Sequence, residues 1–210
     1  MTVAWQGDLF TACASPETPA LGDVTRTPIP HGAWVDHCPG WCPDADALMA
    51  ELVALPGWRQ RQRVVYDEQY DEPRLFRHWG AELPPVLGAL RARLEQLYPV
   101  TFDQVNANLY RNGNDAVAWH ADRCGRTLAD PLVATVSLGD RRRFLARPRA
   151  GGRSLRYELG QGDLIVMGGA FQHTWLHCVP RVAVAGPRIA VMFRHTRPGR
   201  AAGPSWSEIG

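Results

Sequence analysis

VNANLYR (residues 105–111) opens a series of short, strand-like stretches that decides the fold of this chain. The series continues with PLVATVSLG (131–139), RRFLARP (142–148), SLRYEL (154–159), DLIVMGG (163–169), HTWLHCV (173–179) and RIAVMFR (188–194). Turn-forming residues separate these stretches, among them Asn112-Gly113, Gly139-Asp140 and Gly151-Gly152. Many short strands with regular turns are typical of a β-barrel or a jelly roll.

Two helices are predicted ahead of this series. Residues 44–55 (DADALMAELVAL) and 83–99 (LPPVLGALRARLEQLYP) carry apolar residues at helical spacing. Asp44 suits an N-cap of the first helix, and Pro56-Gly57 ends it. The second helix has an apolar stripe, formed by Val86, Leu87, Leu90, Leu94 and Leu97. The pattern therefore predicts an α+β fold, with the helices packed against one sheet.

The 210 residues suit one main domain with flanking segments. Residues 1–30 are rich in Pro, Thr, Ala and Gly and predict a flexible N-terminal arm. Residues 31–100 hold the predicted N-terminal helices, 101–197 the jelly-roll core, and 198–210 a C-terminal tail. Residues 30–197 are expected to form a single catalytic domain.

Composition indicates a cytoplasmic protein, which we expect to be a monomer. No apolar run is long enough for a membrane span, the N-terminus lacks a signal-peptide pattern, and five scattered cysteines make a poor disulfide framework. The net charge is only +2, yet the chain has no lysine and its arginines cluster, notably between 141 and 156. Such clusters are typical of phosphate contacts, or of an arginine-rich composition in general.

The segment Trp119-His120-Ala121-Asp122 places two metal-binding side chains two residues apart. In an extended strand, both project to the same side and can approach one ion. His177, in the strand-like run TWLHCVP, is the expected third ligand, and His173 competes with it. Two histidines and one carboxylate, with coordination positions left open, are typical of non-haem iron(II) oxygenases. Their donor atoms should lie within about 4 Å of one another.

Arg188 and Arg194 lie six residues apart in the last strand-like stretch, again on one face by even alternation. Two inward arginines among Ile189, Val191 and Phe193 would be costly to bury without a partner. Because arginine binds carboxylates bidentately, a dicarboxylate ligand would provide that partner. The dicarboxylate 2-oxoglutarate fits both this arginine pair and an iron site.

Four stretches resemble the AlkB family of dealkylating oxygenases. They are NLYRNGNDAVAWHAD (108–122), PLVATVSLGDRRRF (131–144), GDLIVMGGAFQHTWLHCVP (162–180) and PRIAVMFR (187–194). The resemblance implies a double-stranded β-helix, which is a jelly roll, with a nucleotide-recognition lid on its N-terminal side. It also implies the cofactors Fe(II), 2-oxoglutarate and molecular oxygen. By the same resemblance, iron would be bound by His120, Asp122 and His177, and 2-oxoglutarate by Asn108, Tyr110, Arg188 and Arg194.

The lid segment of the family is resembled by DEPRLFRHWG (71–80), within the N-terminal 31–100 segment. This resemblance marks Arg74, Phe76 and Trp79 as substrate-binding candidates, with Tyr66 as another aromatic that could stack on a base. Family members that repair DNA usually carry an acidic residue shortly after the His-x-Asp motif. Here Arg123 and Cys124 stand in that neighbourhood and are further substrate-binding candidates, so base selection is expected to differ.

The implied function is oxidative demethylation of N-alkylated bases in DNA or RNA, with the target base flipped out or single-stranded. The alternative within the same chemistry is an oxygenase that acts on a protein or a small molecule. A zinc hydrolase or cupin-type isomerase has no need of the Arg188 and Arg194 pair. A non-catalytic nucleic-acid-binding module has no need of a complete set of metal ligands.

Overall fold

The computed structural model describes residues 24–65, 68–80, 82–126 and 128–197. Its helices are α1 (Ala45–Ala54), α2 (Pro85–Leu97) and the short α3 (Phe171–Thr174). Its strands are β1 (Thr25–Ile29), β2 (Ala33–Cys38), β3 (Arg59–Val65), β4 (Glu68–Trp79), β5 (Gln104–Tyr110), β6 (Val117–His120), β7 (Val133–Gly139), β8 (Arg142–Pro148), β9 (Leu155–Leu159), β10 (Leu164–Gly169), β11 (Trp175–Val179) and β12 (Arg188–Arg194). None of the described helices is long and apolar enough to cross a membrane.

The strands form two antiparallel sheets. The major sheet has the order β1-β2-β10-β7-β12-β5-β4-β3, and the minor sheet has the order β6-β11-β8-β9. Both sheets draw strands from distant parts of the chain, so neighbours in space are often far apart in sequence. This arrangement is that of a jelly roll, in which a site can form between two facing sheets.

Strand β12 shows how the sequence pattern divides the interior. Ile189, Val191 and Phe193 are fully buried in a cluster that also contains the apolar faces of α1 and α2. Arg188, Ala190, Met192 and Arg194 alternate with them and point to the space on the other side of the major sheet. One side of β12 therefore packs in the hydrophobic core, and the other side lines the candidate site.

Both predicted helices are present, with slightly shorter bounds than expected. Leu48, Met49 and Leu52 of α1 are buried, and α2 buries Leu87, Leu90 and Leu94. Val86 and Leu97, which the sequence assigned to the stripe, are partly buried at its edges. Asp44 occupies the predicted N-cap position of α1, but its side chain makes no capping hydrogen bond.

The N-terminal boundaries were also partly wrong. Strand β1 occupies residues that we assigned to the flexible arm, and it pairs with β2 across a turn with positive φ at His31 and Gly32. Arg26 holds it there, with an ion pair to Asp36 at 2.8 Å and its guanidinium 3.6 Å from the ring centroid of Trp34. Strands β1 to β4 belong to the major sheet, so the boundary at residue 100 separates no structural layers. Residues 1–23 and 198–210 lie outside the described residues.

Candidate metal and cosubstrate site

Three metal-binding side chains converge between the two sheets. His120 ends β6 and lies directly opposite His177 of β11 in the register of the minor sheet, with 4.2 Å between their ring centroids. Asp122 follows two residues after β6 has ended, outside the strand from which we argued. The ligand atoms of His120, Asp122 and His177 lie within 4.8 Å of one another, a wider limit than the expected 4 Å.

Neighbouring groups fix the orientation of each of these side chains. His120 Nδ1 lies 2.9 Å from the carbonyl oxygen of Ala118, so in the tautomer that donates this hydrogen bond Nε2 is the ring nitrogen that can bind a metal. The ring of His177 stacks on Phe144, with 5.3 Å between centroids. Gln172 Oε1 accepts a hydrogen bond from the backbone N–H of Asp122 at 2.8 Å and holds the loop after β6.

Arg194 engages one oxygen of the Asp122 carboxylate and leaves the other free. Its Nε and Nη2 donate to Oδ1 at 3.0 and 2.8 Å, while Oδ2 faces Nε2 of His177 at 3.8 Å. Burial alone would raise the pKa of Asp122, but Arg194 and then the two histidines lower it to about 2. Burial, reinforced by His120, lowers the pKa of His177 to about 3 against the opposing effect of Asp122. An ionised carboxylate and neutral imidazoles are the states that bind metals.

His173, the competitor for the third ligand position, lies away from this cluster. It belongs to α3, its side chain is exposed, and its Nε2 lies 2.9 Å from the carbonyl oxygen of Leu128. The structure therefore brings His177 rather than His173 to the other two side chains.

Arg188 lies deep beside the candidate ligands and is almost completely buried. Its Nε donates to Ser137 Oγ at 3.0 Å, and its guanidinium lies 5.2 Å from the ring centroid of Tyr110. Its buried Nη1 has no hydrogen-bond partner among the described residues. A narrow cavity of about 30 Å³ connects these groups, and its walls include Asn108, Tyr110, Arg188 and all three candidate ligands. An unpartnered buried guanidinium N–H suits an acidic ligand.

The two arginines of β12 have different surroundings. Six residues of extended chain separate them by about 20 Å at the backbone. Besides Asp122, Arg194 donates to the side-chain oxygen of Asn106, whereas Arg188 faces Tyr110. A direct role of Arg194 in binding a cosubstrate stays a prediction, because its guanidinium already holds the Asp122 carboxylate.

A larger cavity of about 580 Å³ opens on His120 and Asp122. Strands β3 and β4 form one wall, and the start of the 3₁₀ turn Arg123–Arg126 lies at its edge. Four of the substrate-binding candidates line it, namely Arg74, Phe76, Arg123 and Cys124. Tyr66 lies outside the described residues.

Trp79 was wrongly assigned to substrate binding. On β4, Glu72, Arg74, Phe76 and His78 point into the cavity, so the alternate residues point to the other face of the sheet. Trp79 is accordingly buried in the core cluster with α1 and α2. Its aromatic ring cannot reach a base in the cavity, because the sheet lies between them.

The same alternation identifies cavity residues that the sequence analysis missed. Glu72 and His78 share the phase of Arg74 and Phe76, which is the signal that would have found them. Arg61, from β3, lies across the ring of Phe76 at 3.2 Å from its centroid. Burial lowers the pKa of Arg61, opposed by Glu72 and reinforced by Arg74 and two further arginines. The cavity is therefore rich in positive charge and has one aromatic wall.

The proteins to which this chain is similar are oxygenases, in agreement with the geometry of the candidate metal site. Residues 44–199 match the profile of the 2OG-Fe(II) oxygenase superfamily. The human protein named alpha-ketoglutarate-dependent dioxygenase alkB homolog 3 is 32% identical over 186 residues, which cover 77% of this chain and 65% of that protein. Mouse DNA oxidative demethylase ALKBH2 is 31% identical over 123 residues, covering 54% of this chain and 52% of the relative. This chain thus spans just under two thirds of the length of the first of these relatives.

Solved structures share the fold at low sequence identity. A prolyl-4-hydroxylase from Pseudomonas putida superposes with a TM-score of 0.59 at 17% identity, covering 81% of this chain and 95% of that one. An oxidoreductase of the 2OG-Fe(II) oxygenase family from Burkholderia pseudomallei gives 0.56 at 15% identity, covering 79% and 86%. These likenesses concern the arrangement of the strands.

Proposed function

Because the chain belongs to the 2OG-Fe(II) oxygenase superfamily, we propose that it is a dioxygenase that demethylates N-alkylated bases in nucleic acid. The observation that carries the substrate assignment is the arginine-rich cavity of about 580 Å³ that opens on His120 and Asp122. Its volume suits a nucleobase with its sugar, and its charge suits the phosphates around it. The names of the relatives, a dioxygenase and a DNA oxidative demethylase, agree with this assignment.

His120, Asp122 and His177 would hold Fe(II). Two imidazoles and one carboxylate oxygen are the donor set that this ion takes in oxygenases, and they leave positions for a cosubstrate and oxygen. The surrounding structure prepares each donor, since Ala118 orients His120 and Arg194 restrains one oxygen of Asp122. These contacts favour one fixed arrangement of ligands before the metal binds.

Arg188 would bind the distal carboxylate of 2-oxoglutarate through its unpartnered Nη1, beside Tyr110 and Asn108. The cavity at this point is narrow, and Met192 fills part of it with its sulfur 3.8 Å from Asn108 Nδ2 and 3.4 Å from Arg194 Nη2. Methionine side chains are flexible and change rotamer at small free-energy differences. We therefore expect Met192 to move when 2-oxoglutarate enters.

Bound iron would supply the activation of dioxygen that this reaction needs, with 2-oxoglutarate as the reductant that takes up one oxygen atom and is converted to succinate and carbon dioxide. The other oxygen atom would be inserted into a C–H bond of the N-methyl group. The N-hydroxymethyl product then breaks its C–N bond and releases formaldehyde, so the base regains its unmethylated form. The protein residues position the methyl group and exclude other reactions.

Strands β3 and β4 would act as the lid over the target base. Arg61 covers one face of Phe76, so together they present a flat cationic and aromatic wall to the cavity. Arg74 is fixed beside this wall by an ion pair with Glu72 at 2.8 Å and a hydrogen bond to Asn108 Oδ1 at 3.3 Å. Glu72 also places a carboxylate in the cavity, although Arg123 and Cys124 stand where family members usually carry an acid.

The test is incubation of the iron-loaded protein with methylated single-stranded DNA and RNA, ascorbate and 2-oxoglutarate, followed by nucleoside mass spectrometry. We expect loss of methyl groups from at least one N-methylated base, and no loss with the Asp122→Ala variant. Consumption of 2-oxoglutarate without demethylation of any single- or double-stranded substrate would contradict the proposal. That result would favour an oxygenase that acts on a protein or a small molecule.

A further inference from the structure

A second groove, of about 430 Å³, meets the candidate site from another direction. Its walls come from residues 70–74 of β4, from 116–120 in and before β6, and from 178–181 around the end of β11. The backbone N–H of Ala116 donates to the carbonyl oxygen of Pro73 at 2.7 Å and ties two of these walls together. The groove shares Glu72, Arg74, Val117 and His120 with the base cavity. It is therefore continuous with the place where the target base would bind.

The groove has two aromatic side chains at its surface. Tyr70 is 51% exposed, which is unusual among the large hydrophobic side chains of the described part of the chain. Trp119 directly precedes His120 and is partly buried, and the guanidinium of Arg147 lies 4.3 Å from its ring centroid. The remaining lining is mostly apolar, with Pro73, Val179 and Pro180. Flat apolar faces of this kind are platforms for stacking a nucleobase.

Two arginines next to the groove have no carboxylate partner among the described residues. They are Arg147, beside Trp119, and the exposed Arg181, in the groove wall. Arg74, in contrast, is paired with Glu72 at 2.8 Å. An apolar groove with aromatic surfaces and unpaired guanidinium groups at its edges is complementary to a ligand that joins a flat ring to an anion. A nucleotide has this combination.

We propose that this flanking groove, defined by Tyr70, Pro73, Trp119, Val179, Pro180 and Arg181, binds the nucleotide next to the target nucleotide. Its base would stack on Tyr70 or Trp119, and its phosphate would approach Arg147 or Arg181. This inference rests on the proposed demethylase function and adds a binding site outside the base cavity.

The experiment compares substrates of increasing length. The substrates are a methylated mononucleotide, a trinucleotide with the methylated base in the centre, and the same trinucleotide with abasic flanking positions. We expect the wild-type protein to prefer the complete trinucleotide by about tenfold in kcat/KM, the magnitude expected for stacking of one base. Trp119→Ala and Tyr70→Ala should reduce this preference severalfold and leave turnover of the mononucleotide unchanged.

The Tyr70 side chain is half exposed, so Tyr70→Ala should not disturb folding. A loss of the trinucleotide preference in this variant would therefore not be a folding defect. The matched control is Val184→Ala, a side chain that is 90% exposed and lies outside the groove. Full retention of the trinucleotide preference in both groove variants, in an enzyme that does demethylate nucleic acid, would overturn the flanking groove alone. An equal loss of mononucleotide and trinucleotide turnover in both variants would also overturn it. Absence of demethylation in the wild-type protein would instead defeat the proposed function.

Discussion

Asp122 is held between a cation on one side and the two imidazoles on the other. Arg194 binds its Oδ1 through two N–H groups, so the carboxylate can present only Oδ2 to a metal ion without a change of partner. We expected Arg194 to bind the cosubstrate, but its guanidinium contacts the Asp122 carboxylate. We therefore propose that Arg194 positions the Asp122 carboxylate for the metal.

Arg194→Ala should therefore weaken Fe(II) binding by about 10- to 100-fold, the usual effect of removing a group that orients a metal ligand. Anaerobic titration of the metal-free protein measures this affinity. Arg197→Ala is the matched control, since that side chain is 85% exposed and lies 3.6 Å from Asp103. Unchanged iron affinity with a raised KM for 2-oxoglutarate would show that Arg194 serves the cosubstrate instead.

For Arg188 we expect an effect on 2-oxoglutarate binding, in contrast to the effect on iron binding expected for Arg194. Its unpartnered Nη1 faces the narrow cavity, and a hydrogen bond to a charged ligand contributes about 1.5–3 kcal/mol. Arg188→Ala should raise the KM for 2-oxoglutarate by at least about tenfold, with little change in affinity for an unmodified oligonucleotide. Saturating 2-oxoglutarate should restore part of the turnover. Equal losses of both affinities would count against the assignment.

Strand β8 carries a buried arginine, Arg142, whose hydrogen bonds the sequence analysis did not predict. Arg142 is almost completely buried and donates to three backbone carbonyl oxygens, those of Asn112, Asp115 and Pro180, at 3.2, 2.8 and 2.7 Å. The first two lie in the loop between β5 and β6, and the third follows β11. One guanidinium therefore joins the chain segments next to His120 and His177.

Arg142→Ala should lower the free energy of unfolding by about 3 kcal/mol or more, because several buried carbonyl groups lose their donor. Arg143→Ala is the control on the same strand. Its side chain is half exposed and its nearest carboxylate, on Glu158, is 3.8 Å away, so the change should be within about 0.5 kcal/mol. Denaturant unfolding of both variants gives the comparison, and similar values for the two would refute the role of Arg142.

The strands also show what the sequence could and could not predict. The β12 pattern predicted its inward arginines, because Ile189, Val191 and Phe193 mark the opposite face without ambiguity. In β4, charged residues occur in both phases, so nothing in the pattern placed Phe76 in the cavity and Trp79 in the core. Strand β1 was missed because residues 1–30 were assigned to a flexible arm on their Pro, Thr, Ala and Gly content, although an edge strand tolerates a proline such as Pro28.

At the scale of the whole molecule, the candidate site forms where the two sheets face each other. The minor sheet carries His120 and His177, while the major sheet carries Asn108, Tyr110 and Arg188. The sequence supplied the ligand types and their spacing, and the resemblance to AlkB-like proteins supplied the pairing of distant motifs. Neither indicated the two separate openings onto His120, since these depend on how β4 lies against β6.

We propose that this arrangement couples decarboxylation of 2-oxoglutarate to removal of an N-methyl group from nucleic acid. The most direct measurement uses a single-stranded oligonucleotide with an isotopically labelled N-methyl group, and counts succinate and labelled formaldehyde in the same reaction. We expect equal amounts of both products, dependent on added Fe(II) and absent with Asp122→Ala. Succinate without labelled formaldehyde would contradict the claim.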